Sequence, residues 1–324
     1  MKRILITGIS GFVGGHFTHY LTQKKKDFAI HGISRSKPNW NFVPHELREK
    51  IHFHQADLLD MKRTSLILQD IRPDYIVHLA SFSSVANSWK QPVECFLNNT
   101  NIFLNIIESV RLHNINCKIL SVGSSEEYGI VEENNLPLRE NYRTMPTSPY
   151  AVARVSQENL AMIYSKGFHL NIVCTRSFNH VGPGQSDRFV ISSIVKQFAE
   201  IKLNKRKPVI RIGNGSIIRD FSDVQDVVAA YDSLLEKGQS GEIYNVCSGK
   251  GYRILDVVKS ISENYEINVK IEHEDDLLRP IDNPTILGNY DKIEKHVGWR
   301  PRVNFVESIE KIFEYWSDQI IMKG

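Results

Sequence analysis

Short apolar runs alternate with amphipathic stretches through the first half of the chain. Ile4 to Thr7, Ala29 to Ile33, Ile51 to His54, Tyr75 to Leu79, Ile119 to Val122 and Leu170 to Thr175 have the length and apolar content of strands. Phe12 to Gln23, Met61 to Gln69, Trp89 to Leu112 and Tyr150 to Ser165 lie between them and read as helices. Strands that alternate with helices predict parallel βαβ units with both faces of the sheet covered. From about Phe178 the texture changes, and the Gly- and Pro-rich segments VGPGQ, GNGS and CSGKG separate shorter elements. Two lobes are expected, residues 1–177 and 178–324, with no linker between them and with segments free to interleave.

The first strand runs directly into Gly8-Ile-Ser-Gly11-Phe12-Val13-Gly14, where the first helix opens. Glycines at these positions suit a tight turn, close backbone approach to a pyrophosphate, and a helix N-terminus that favours its negative charge. The expected fold is therefore α/β: a Rossmann-type doubly wound parallel sheet with a smaller α/β C-terminal substrate lobe. Gly8, Gly11, Phe12, Val13 and Gly14 are its expected cofactor contacts. An acidic residue ending the second strand would hold the ribose hydroxyls of NAD. This chain has Ser34-Arg35-Ser36-Lys37 there instead, with no acid in reach. Arg35 can grip a 2′-phosphate and Ser34 can add a hydrogen bond, so NADP(H) is favoured, with NAD(H) the alternative. Asp57 and Leu58 follow the third strand as an edge contact to adenine. Leu79 ends the fourth strand, Ala80 and Ser83 follow it, and the three are expected to line the nicotinamide and substrate side, while His78 just before them is expected to pack or hydrogen-bond.

Composition changes this picture little. Over 324 residues, 41% hydrophobic and 24% charged positions describe a soluble domain with a substantial core. The net charge of +3 gives no reason to invoke nucleic acid or a membrane surface. Cys95, Cys117, Cys174 and Cys247 are widely spaced, without a CxxC pair or Cys/His cluster, so no metal is expected; Cys117 and Cys174, in or beside apolar runs, read as buried free thiols. The apolar run after Met1 is too short for a signal peptide, and no apolar stretch reaches the roughly 18 residues of a membrane span. A cytoplasmic protein is expected.

Two further segments carry chemistry. Ser124 lies in Gly-Ser-Ser-Glu-Glu-Tyr-Gly after the fifth strand, and Tyr150 and Arg154 lie in Ser-Pro-Tyr-Ala-Val-Ala-Arg. A tyrosine exchanges a proton with a carbinol well when a nearby cation makes its phenol more acidic, and a four-residue spacing puts that cation on the same helical face. With these residues the whole chain resembles the extended short-chain dehydrogenase/reductase family of nucleotide-sugar epimerases, dehydratases and reductases. The resemblance implies that Ser124 orients the substrate oxygen, Tyr150 moves the proton and Arg154 holds the place of the family lysine. Arginine keeps the charge but is planar and never deprotonated, so the exchange is not conservative.

Within the family, the segments GSSEEYG, FNHVGPGQ, RDFSDVQDV and YNVCSG are most similar to bacterial GDP-4-keto-6-deoxy-D-mannose reductases, which form GDP-D-rhamnose. This likeness implies C4 reduction of a GDP-linked 4-keto-6-deoxy sugar, and a homodimer through the two long helices. It also implies substrate contacts from Ser83, Ser125, Asn179, Val190, Lys196, Arg219, Arg279 and Asp282. Arg219 and Arg279 would clamp the diphosphate, and Asp282 would hold the nucleoside ribose. Glu126 keeps a 4,6-dehydratase open, since dehydratases use a Glu at the matching place as base. Against it, the glycine loop lacks the Thr-Gly-Gln-Asp-Gly run of the GDP-mannose dehydratases. A 4-oxidoreductase or epimerase of a GDP-hexose or GDP-heptose also stays open. So does a low-turnover sensor of cofactor and nucleotide sugar, suggested by Arg154.

Overall fold

In the computed structural model, which describes residues 1–24, 28–38, 43, 45–49, 51–278 and 280–323, all six strands read from the sequence form. The first half runs β1 (Lys2–Thr7), α1 (Phe12–Gln23), β2 (Phe28–Ser34), the single turn α2 (His45–Arg48), β3 (Ile51–Gln55), α3 (Met61–Ile71) and β4 (Tyr75–His78). It continues through α4 (Val85–Lys90), α5 (Pro92–Leu112), β5 (Lys118–Val122), α6 (Pro149–Gly167) and β6 (Asn171–Ser177). The second half holds β7 (Asn179–Val181), α7 (Val190–Lys202), β8 (Val209–Ile212), β9 (Ile218–Asp223), α8 (Val224–Lys237) and β10 (Ile243–Val246). It ends with β11 (Gly251–Arg253), α9 (Ile254–Asn264), β12 (Lys270–His273), β13 (Thr285–Ile286), α10 (Asp291–Val297) and α11 (Phe305–Lys323).

The main sheet is parallel throughout, in the order β10-β6-β5-β4-β1-β2-β3. Its first and last strands in sequence are brought into one sheet because β10 returns from the second half to pair with β6. Strand order reverses at β1, with β2 on one side and β4 on the other, and ligands of open α/β sheets bind in the crevice at such a point. Helices α1 and α8 bury Phe17, Leu21, Val227, Tyr231 and Leu234 against one face. Helices α3, α5 and α6 bury Leu68, Phe103, Ile106 and Ala161 against the other. Such two-sided burial explains why the central strands β1, β4 and β5 read as short apolar runs, whereas β3 at the sheet edge, Ile-His-Phe-His-Gln, is only partly buried.

The helix expected from 89 to 112 is two helices. Gln91 breaks them, at φ −135°, because the residue before a proline is forced out of the α region and Pro92 then opens α5. In the second half, β9 pairs with β7, β11 and β13, and β8 with β12, over a core formed by α7, α9 and α11. All four cysteines are buried free thiols. Among the described residues no helix is long and apolar enough to cross a membrane.

Candidate active site

The glycine turn is closed to side chains at two points. Gly8 has φ +70°, and a Cβ there would lie 2.8 Å from the Ala80 amide nitrogen. A Cβ on Gly14 would lie 2.5 Å from the Gly8 carbonyl oxygen. Gly11 N–H donates to the Gly8 carbonyl at 2.9 Å, and the first helical bond of α1 is Gly15 N–H to the Gly11 carbonyl at 3.0 Å. The amides of Phe12, Val13 and Gly14 therefore precede the helical ladder, and no acidic side chain stands in that turn. This cradle fits the pyrophosphate of a dinucleotide.

Thr7 ties β1 to β4 beside it. Its Oγ1 accepts from the Leu79 and Ala80 amides, both at 3.2 Å, and meets His78 Nδ1 at 2.9 Å. Burial, aided by the Arg154 charge, pushes the His78 imidazole down to about 3, so it is neutral and serves packing and hydrogen bonding as expected. On the other flank Phe12 stacks on His180 with centroids 6.1 Å apart, and His16 Nε2 meets the Pro183 carbonyl at 2.9 Å. These contacts hold the loop after β7 against the cofactor helix.

At the end of β2, Arg35 and Lys37 are exposed, whereas the Ser34 hydroxyl donates to the Ser36 carbonyl at 2.6 Å and so shapes its own turn. Asp57 is exposed with Oδ1 accepting from Leu59 N–H at 3.0 Å, and Leu58 is buried.

The residues of the candidate reacting centre meet where β5 ends and α6 begins. Ser148 caps α6 by accepting from Ala151 N–H at 3.1 Å, and Pro149 occupies the first turn, so Tyr150 is fixed at the helix start. Arg154 lies one turn on and donates from Nε to Tyr150 Oη at 3.1 Å. It also donates to the Val122 carbonyl at 3.0 Å, two residues before Ser124. Ser124 caps the 3₁₀ turn Ser125–Tyr128: its Oγ accepts from Glu126 N–H at 3.2 Å, while Glu127 Oε1 accepts from Ser124 N–H at 2.6 Å. Ser124, Ser125 and Tyr150 are buried, and Glu126 is half-buried.

Beneath that turn lies a buried ionic cluster. Arg176 makes a two-pronged ion pair with Glu158, at 2.9 and 2.8 Å, and its Nε stands 3.8 Å from Glu127 Oε2. Burial, with Glu158 nearby, holds the Glu127 carboxyl well above the usual carboxylate range.

The substrate-side candidates fall into separate groups. Asn179 is half-buried and donates to the Asp220 carbonyl at 3.2 Å. Arg219 and Asp282, expected to serve different parts of a ligand, meet in a salt bridge. Lys196 pairs with Asp187 at 2.7 Å and sits over the Trp316 ring, while Val190 and Ser83 are exposed. Arg279 lies outside the described residues. Asp220 accepts from Ser248 N–H and Oγ–H, Gly249 N–H and Gly288 N–H, tying the β10–β11 loop and the segment after β13 to β9 beside Arg219. Among the described residues no group of three or more His, Cys, Asp or Glu side chains could hold a metal ion.

Several residues of the centre escaped the sequence. Gln157 accepts from Arg154 and reaches Ser121, and Asn99 clasps both backbone groups of Phe82 in the loop before α4. The available signal was polarity in buried surroundings: Arg176 inside an apolar strand, and Gln157 and Glu158 side by side on α6.

A parallel sheet with its crevice at the strand reversal, and a tyrosine–arginine pair set beneath a serine turn, define a nicotinamide-dependent oxidoreductase of the extended short-chain dehydrogenase/reductase class. The chain belongs to the GDP-mannose 4,6 dehydratase family, whose model matches residues 5–312. It is similar to the GDP-6-deoxy-D-mannose reductase of Pseudomonas aeruginosa, with 29% identity over 98% of each chain. It is also similar to the GDP-mannose 4,6-dehydratase of Yersinia enterocolitica, at 27% identity over 95% of this chain and 91% of that one. Among solved structures, that of RMD from Pseudomonas aeruginosa complexed with NADPH matches with a TM-score of 0.85 and 28% identity, covering 98% of this chain and all of the other.

Proposed function

We propose that the protein reduces the C4 keto group of a GDP-linked 4-keto-6-deoxy sugar, with NADPH as reductant. The observation that carries this is the 3.1 Å hydrogen bond from Arg154 Nε to the Tyr150 hydroxyl, beside the Ser124 turn at the carboxyl edge of the sheet. The likeness to a GDP-6-deoxy-D-mannose reductase along nearly the full length of both chains supports the substrate class. When bound, the nicotinamide supplies the hydride. Tyr150 gives its proton to the C4 oxygen, Arg154 stabilises the phenolate left behind, and the Ser124 hydroxyl donates to the same oxygen and orients it. Gly8, Gly11 and the first amides of α1 hold the pyrophosphate.

A dehydratase reading is favoured by one observation: half-buried Glu126 stands in the same turn as Ser124. Turnover decides between them. A reductase consumes NADPH in proportion to product, whereas a dehydratase returns its cofactor to the starting state in each cycle. Incubation with a GDP-4-keto-6-deoxy-hexose is expected to oxidise one NADPH per sugar; turnover of GDP-mannose without net NADPH loss would establish the dehydratase instead.

Arg35 sets the cofactor preference. It is an exposed cation directly after β2, with Lys37 two residues on, and no acid stands between them. Arg35→Ser is expected to raise the KM for NADPH roughly tenfold to a hundredfold, the worth of a hydrogen bond to a charged group, with little change for NADH. Steady-state kinetics with both cofactors check this. A homodimer through the outer faces of α5 and α6 fits the exposure of Val93, Leu97, Val152 and Ile163.

A further inference from the structure

Arg154 is a buried cation, and among the described residues no carboxylate forms an ion pair with it. It is 5% exposed, and it donates to three neutral oxygens: Tyr150 Oη at 3.1 Å, the Val122 carbonyl at 3.0 Å and Gln157 Oε1 at 2.7 Å. A buried charge is tolerated only when hydrogen bonds replace its lost hydration. Its field remains active nearby, since it lowers the His78 imidazole further and opposes the rise of the buried Tyr231 phenol.

An arginine differs from a lysine in that its donors lie in one rigid plane. A lysine ammonium can turn to meet a phenol from many directions. The guanidinium meets Tyr150 through Nε only when its plane is fixed. Gln157 is placed to fix it. It stands three residues after Arg154 and seven after Tyr150, on the same face of α6. It is itself held: 1% exposed, with Nε2 donating to Ser121 Oγ at 2.9 Å and to the Val122 carbonyl at 3.2 Å. The Gln157 oxygen that receives Arg154 Nη1 is therefore tied to the end of β5, the strand that leads into the Ser124 turn.

We infer that Gln157 is the positioning residue that allows an arginine to work beside Tyr150: anchored on β5, it sets the guanidinium plane so that Nε faces the phenol. The inference rests on Tyr150 being the proton donor. It also explains why Arg154 need not be a handicap, because the support for a planar cation is built into the helix that bears it.

The test is a double-mutant cycle on the full-length protein, with Gln157→Met made in the parent and in Arg154→Lys. Kinetics, NADPH affinity by fluorescence titration and melting temperature are measured for each, and Tyr150→Phe is run alongside. In the parent background, Gln157→Met is expected to lower kcat roughly tenfold to a hundredfold, the scale of a small misplacement, with NADPH affinity and sugar KM within about threefold. In the Arg154→Lys background the same change is expected to cost less than about threefold, because no guanidinium plane remains to be set. Should Gln157→Met not fold, Gln157→Ala, the better helix former, enters the same cycle. An equal loss in both backgrounds, or parent kcat in Gln157→Met beside an inactive Tyr150→Phe, overturns the role of Gln157 alone. Parent-like turnover by Tyr150→Phe overturns the assignment of Tyr150 itself.

Discussion

Tyr150→Phe is expected to lower kcat roughly a hundredfold to ten-thousandfold, the usual contribution of a placed general acid, while sugar and cofactor KM stay close to the parent's. The substitution removes one oxygen and nothing else. The ring is buried at the start of α6, so phenylalanine keeps its packing, and the helix keeps its Ser148 cap and Pro149 start. Arg154 loses the bond from Nε to the phenol but retains the Val122 carbonyl and Gln157 as acceptors, so the cation stays in place. What disappears is the proton that completes the new C4 hydroxyl. Single-turnover rates with saturating NADPH and keto sugar isolate that step from product release. A variant within about tenfold of the parent would mean that another group protonates the oxygen.

Why the pairing of Tyr150 with Arg154 was legible and its supports were not follows from distance along the chain. Tyr150 and Arg154 are four residues apart on one helix, so spacing alone places them together. The glycine turn was legible because Gly8 and Gly14 stand where backbone atoms leave no room for a Cβ. The central strands of the parallel sheet were legible because burial on both faces leaves few polar residues in them, whereas the edge strand β10 was not read. The break at Gln91 was concealed by helical spacing on both sides, and only the stereochemistry of Pro92 reveals it. Contacts that depend on strand register could not be read. Arg219 and Asp282 are 63 positions apart and meet because β13 pairs with β9, Thr285 opposite Ile218. Read singly, each looked like a ligand-binding residue; folded, each has the other as partner. Arg176 meets Glu127 and Glu158 only after β6 has aligned with β5 and α6 has packed over both. Polarity marked these residues as costly to bury without saying what would compensate them.

Arg176→Met is expected to destabilise the fold by about 3–5 kcal/mol, the penalty for leaving half of a buried ion pair uncompensated. Glu158 would keep its charge without its two-pronged partner, and the Glu140 carbonyl would lose the bond from Arg176 Nη1 at 3.2 Å. The double variant Arg176→Met/Glu158→Leu removes both charges and is expected to recover much of the loss, since a buried pair replaced by apolar groups of similar size is often close to neutral. Glu127 adds a pH dependence to the same cluster. Its folded-state carboxyl is raised above the ordinary value of 4.5, first by burial and then by the Glu158 charge. The stability linked to its proton is therefore complete below that value and is lost as pH rises towards the folded-state value. Glu127→Gln, which keeps an acceptor for Ser124 N–H and an N–H where the acid carries its proton, cannot ionise. Its melting temperature is expected to match the parent's near about pH 5 and to exceed it near about pH 8. Parallel melting curves for the two proteins across that range would refute a protonated Glu127. With the Ser124 N–H held by this carboxyl at 2.6 Å, any gain in stability from Glu127→Gln that also slowed turnover would tie the charge state of the cluster to the placement of Ser124.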